Sequence, residues 1–121
     1  MKQLFFIPLF FIFSCSSKEV KIPGDIIAKE AMIEIYKDVH ISDGMVTNQQ
    51  IKGVKVTNQL KKSYLIAVLK KHNISMEAYE MSNAFYENNA AVMLDLYGKV
   101  MIEISKDQAL LAGEKIENKK K

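Results

Sequence analysis

Tyr36, His40 and Asp43 are spaced by four, three and seven residues, the intervals that bring side chains together along one edge of a helix. An imidazole beside a carboxylate can be held in one tautomer and act as a general base. His40 with Asp43, or with Asp38, is therefore what a small hydrolase or lyase would use. Such a base needs a nucleophile or a second acid in a recognisable context. The chain has no serine in an elbow motif, and its single cysteine, Cys15, stands well outside this segment. The same trio can equally serve as a hydrogen-bonded cluster that fixes one helix against its neighbours. Asp38 lies about 160° around a helix from His40, so the Asp-x-His pair cannot close on one ion. His40-x-x-Asp43 supplies only two ligands, and His72 is remote in sequence. No metal site and no cofactor is expected.

Cys15 is the other residue with chemistry of its own. Lys2 precedes ten uncharged apolar residues, Leu4 to Phe13, broken by Pro8. As a helix these would reach about 15 Å, roughly half the hydrocarbon thickness of a bilayer, so they read as an export signal and not as a span. The tetrad Ile12-Phe13-Ser14-Cys15 resembles the lipobox of bacterial lipoproteins, with Phe13 larger than the pattern prefers. That resemblance implies a signal peptide over residues 1–14 and acyl chains, of the palmitate kind, on Cys15. A tether over residues 15–22 would then lead to the folded part. Two or more acyl chains are enough for stable membrane anchoring.

Composition narrows the remaining classes. Removing 14 of 121 residues leaves 107, enough for one domain. The chain carries 17 Lys and no Arg against 14 Asp and Glu. Without guanidinium forks, specific base reading and bidentate phosphate clamping are disfavoured, so no nucleic-acid partner is expected. A lone cysteine consumed by lipid leaves no disulfide, and packing alone must hold the fold.

Hydrophobic periodicity supplies the elements. Pro23-Gly24-Asp25 is turn chemistry, after which Ala28, Met32, Ile35, Val39 and Val46 line one face of a helix ending near Met45 or Val46. Thr47-Asn48-Gln49-Gln50 and Gly53 read as a loop. Leu60, Tyr64, Ala67, Val68 and Lys71 mark a second helix, ending at His72-Asn73. Ser75 caps a third, from Met76 to about Asn88, with Tyr79, Ser82, Phe85 and Tyr86 toward the core. Met93, Leu96, Tyr97, Val100, Ile104 and Leu111 mark a fourth. No segment alternates with period two long enough for a sheet. The reading is an all-α bundle of about four helices over residues 23–112, with a basic tail over 113–121.

From Ile22-Pro23 onward the chain resembles the domain-of-unknown-function family 4296 of envelope lipoproteins. Its first motif matches Ala31-Met32-Ile33-Glu34-Ile35-Tyr36-Lys37-Asp38-Val39-His40-Ile41-Ser42-Asp43, with the Asp38 and His40 pair its most specific part. Residues 64–74 resemble its second helix and turn. Tyr79, Ser82, Phe85 and Tyr86 resemble its aromatic and serine block, and Asn89, Met93, Leu96, Tyr97 and Val100 its closing helix. Ala90 and Ala91 stand where such sequences often have Pro and Glu. The resemblance implies an outer-membrane lipoprotein of unassigned activity. With no motif that arranges chemistry, the expectation is a non-catalytic envelope module, anchored through Cys15, that binds a protein partner or helps an assembly. A hydrolase or lyase built on His40 and a chaperone-like holdase are the alternatives.

Overall fold

The computed structural model describes residues 19–119, which hold four α-helices and no strand. The expected signal segment and Cys15 lie outside the described residues. The lead-in ends in a turn in which the Ile26 amide donates to the Pro23 carbonyl (3.2 Å). That turn delays the first helix, α1, to Lys29–Ile51. The helix runs through Thr47-Asn48-Gln49-Gln50, where a loop was expected. Thr47 turns its hydroxyl back to the Asp43 carbonyl (2.9 Å), so its side chain does not compete with the helix. Gly53 ends it at φ +83°, the left-handed position glycine tolerates. The Gly53 amide then donates to Gln50 and the Val54 amide to Gln49.

The second helix, α2 (Asn58–Lys71), starts at Thr57, whose hydroxyl accepts from the Leu60 amide. It ends in the same manner at Asn73, the one described non-glycine residue with positive φ (57°). The Ile74 amide reaches back to Leu69 (2.9 Å). Ser75 caps α3 (Met76–Glu87) by accepting from the Ala78 amide, at the expected position. Asn89 donates its side-chain amide to the Phe85 carbonyl (2.6 Å), and α4 (Ala90–Lys119) follows. The boundary expected at residue 112 is not a helix end. α4 continues to Lys119 because residues 113–119 contain no proline and only one glycine.

Pairings across the helices define the topology. Gln49 meets Tyr64 and Asp38 meets His72, so α2 runs antiparallel along the second half of α1. Tyr36 meets Asn83 and Ile27 meets Tyr86, so α3 continues in the same direction along the first half. α2 and α3 are thus one return path broken at residues 72–75. Lys29 pairs with Asp95 and Lys37 lies 3.6 Å from Asp107, so α4 crosses α1 in the same sense as α1.

The core forms where α1, α3 and α4 meet the end of α2. Met32, Ile35, Tyr86, Leu96 and Val100 are fully buried there, with Ile33, Tyr36, Val68 and Leu69 around them. Each such aliphatic side chain contributes about 1.5–3 kcal/mol. Val46 is also buried, but outside this cluster. The far third of α4 is exposed, and Leu111, a member of the expected inward stripe, is 58 % exposed. The stripe outruns the body that covers it.

Candidate functional site

Tyr36 is the anchor of the polar region and is almost wholly buried. Its ring stacks on Tyr97 of α4 (centroids 5.4 Å, planes 18° apart) and meets Tyr79 of α3 edge-on at 6.5 Å. The phenol donates to the Asn83 side-chain carbonyl, and the Asn83 amide donates to Glu87 (2.9 Å). Burial, with the neighbouring tyrosines, pushes the Tyr36 hydroxyl far above the ordinary phenol range. It is a fixed donor and does not supply protons near neutral pH. His40, one turn further along α1, is exposed and lies edge-on to Tyr97 at 5.4 Å.

The four singled-out residues of α1 therefore divide. Tyr36 and His40 share Tyr97, whereas Asp38 points to the end of α2. Its Oδ2 accepts from Lys71 Nζ (2.8 Å) and lies 2.7 Å from His72 Nε2. Burial pulls the Asp38 carboxyl up, but the hydrogen bonds and charges of Lys71 and His72 more than offset this and leave it below the usual carboxylate range. Sequence reasoning set His72 aside as remote, and its place beside Asp38 depends on the register of α2 on α1. The one available signal was a histidine at a helix C-terminus, where the partial negative charge favours a cation.

Asp43, on the same edge of α1 as Tyr36 and His40, lies on the rim of a groove of about 440 Å³ between α1, α2 and α3. Val39, Leu65, Met76 and Tyr79 make its half-buried apolar floor. Lys61 and Lys62 form one rim, and Asp43 and Glu80 the other. Tyr79 belongs to both regions, since its ring also touches Tyr36. Burial first, then nearby charges including Asp43, raises its phenol above the ordinary range. A groove with an apolar floor and rims of opposite sign suits an amphipathic peptide segment better than a small polar substrate.

Among the described residues no cluster of three or more His, Cys, Asp or Glu is placed to hold a metal ion, and no helix is long and apolar enough to cross a membrane. No curated relative and no solved structure matches the chain. A family model does, over residues 23–109, which takes in all of α1, α2 and α3, most of α4, and both the aromatic cluster and the groove. By that match the chain belongs to the family described as Domain of unknown function (DUF4296).

Proposed function

We propose that this protein is an outer-membrane lipoprotein of the bacterial envelope, acylated on Cys15, whose helical domain binds a protein partner and catalyses no reaction. The anchor rests on the Ile12-Phe13-Ser14-Cys15 tetrad. Ile22 already packs against the core, so only residues 16–21 would separate lipid from body. At about 3.5 Å per extended residue that is roughly 25 Å of reach, which keeps the domain close to the bilayer. The groove between α1, α2 and α3 carries the binding half of the reading. Its floor of Val39, Leu65, Met76 and Tyr79 offers apolar side chains a place to dock, and its two rims set the sign of their neighbours.

Two measurements test this. Mass spectrometry of the protein purified from its own membranes should show an acylated N-terminal Cys15; an intact residue 1 or a bare thiol removes the anchor. Capture with the wild-type chain and with Leu65→Asp, at matched abundance and helix content, should differ by the loss of one specific partner. Identical partner sets would clear the groove of that role. A His40→Ala strain should behave as wild type, and loss of phenotype there would restore a catalytic reading.

Met76 and Tyr79 on the groove floor also favour a holdase, because a flexible thioether beside an aromatic ring accommodates varied apolar segments. Suppression of aggregation of unrelated unfolded proteins, abolished by Leu65→Asp, would distinguish it from binding to one dedicated partner.

A further inference from the structure

The fold uses one of two apolar stripes on α4. Met93, Leu96, Val100 and Ile104 face the body, and Tyr97 stacks on Tyr36 of α1. Roughly 140° around the helix, at 100° per residue, a second line begins at Gly98 and continues through Ile102, Ser105, Ala109, Ala112 and Ile116. Its steps alternate between four and three residues, the spacing that keeps a seam on one side of a helix. All six residues are exposed, Ile102 by 55 % and Ile116 by 57 %. The seam is about 27 Å long, and no described element covers it.

We infer that this seam docks the α4 of a second copy of the chain, antiparallel to it. The seam is complementary to itself when reversed. With two seams opposed at the level of residue 107, Ile102 falls opposite Ala112 of the second copy and Ile116 opposite Gly98 of the second copy. Ser105 falls opposite Ala109 of the second copy. Each branched side chain thus meets a small one, and beside Gly98 there is open space to receive it. The Ser105 hydroxyl already donates to the Met101 carbonyl (2.8 Å), so covering it strands no donor.

The ends of the seam agree in charge. One step beyond Gly98 lies Asp95, one step beyond Ile116 lies Lys119, and the antiparallel register sets these opposite each other at both ends. Asp95 holds Lys29 and Lys99 within its own chain and is still half exposed. The two Lys106 side chains come together at the centre, each paired with its own Glu103 (2.7 Å). A parallel pairing would instead stack Asp95 on Asp95, Lys119 on Lys119 and isoleucine on isoleucine. The seam uses neither the groove nor anything before Glu19, so it stands apart from the function proposed above.

Disulfide trapping in cells that express the full chain tests both contact and direction. The double variant Ile102→Cys, Ala112→Cys should give a disulfide-linked dimer on a non-reducing gel, well above the parent chain with Cys15 alone. Ile102→Cys by itself should match the parent, because the two positions would be roughly 15 Å apart along the axis. Detergent-extracted wild type should sediment at twice the mass of one chain, and Ala112→Glu at one, with unchanged helix content and melting. A wild type that stays monomeric overturns the inference, as does a dimer indifferent to Ala112→Glu. So does trapping of Ile102→Cys alone as efficient as that of the double variant, or trapping of the double variant only onto a different protein.

Discussion

Ile27 is held through its peptide group. Its amide donates to Ser82 Oγ (2.9 Å) and its carbonyl accepts from the Tyr86 hydroxyl (2.7 Å), so two residues one helical turn apart on α3 grip both polar atoms. Both partners are fully buried, which makes the grip costly to break from one side. Ser82→Ala should lower stability by about 1–3 kcal/mol, since a part-buried amide loses its acceptor, and Tyr86→Phe by about 1–2 kcal/mol. Urea unfolding of the two single variants and the double variant measures both values. The double should cost less than their sum, because the pair acts as a unit. Asp38 makes a prediction in pH. Its carboxyl is depressed in the folded state, so its contribution is present above the unfolded value of about 4 and is lost as pH falls through the lower folded value. Asp38→Asn should cost about 1–2 kcal/mol at neutral pH and progressively less in acid, read as converging unfolding midpoints. Ser82 was legible beforehand from its place among aromatics at helical spacing. The Asp38–His72 contact was not, because a pairing 34 residues apart depends on how two helices slide on each other, and no local pattern encodes that.

At the scale of elements, the break between α2 and α3 depends on Asn73. Its left-handed backbone lets the Ile74 amide return to Leu69 before Ser75 opens the next helix. Asn73→Ala should destabilise by about 1–2 kcal/mol, and Asn73→Gly should hold or gain stability; thermal melts separate them. This stop and restart was readable from His72-Asn73-Ile74-Ser75, because asparagine and serine act through their own backbones. The end of α1 was misjudged since Thr47-Asn48-Gln49-Gln50 has loop composition, and only the hydroxyl bond to Asp43 shows how the helix tolerates it. The inward stripe of α4 was carried on to Leu111, which is exposed, for the converse reason. Periodicity predicts a helix wherever it persists, but says nothing of where the covering layer ends.

For the molecule as a whole, one return path in two pieces divides stability into two regions. The first half of α1 shares the main core with α3 and α4, while Val46, in the second half, is buried outside that cluster. Leu96→Ala should cost about 2–5 kcal/mol and speed amide exchange throughout the core. Val46→Ala should cost less and act mainly on exchange in residues 41–51 and 57–64, where local opening suffices. Hydrogen exchange followed by mass spectrometry checks both, and uniform acceleration by Val46→Ala would mean one cooperative unit. The all-helical architecture was plain in the sequence because four separate stripes of period 3.6 needed only one another to be buried.

The double grip on Ile27 has a mechanical consequence. Tension passed along the chain from before Glu19 reaches α3 through two transverse hydrogen bonds before it can unwind the first turn of α1, whose cap at Ala28 makes no side-chain bond. The lead-in works as a strain relief, like the collar where a cable enters its housing, and a sustained pull loads α3 in the core while sparing the uncapped first turn of α1.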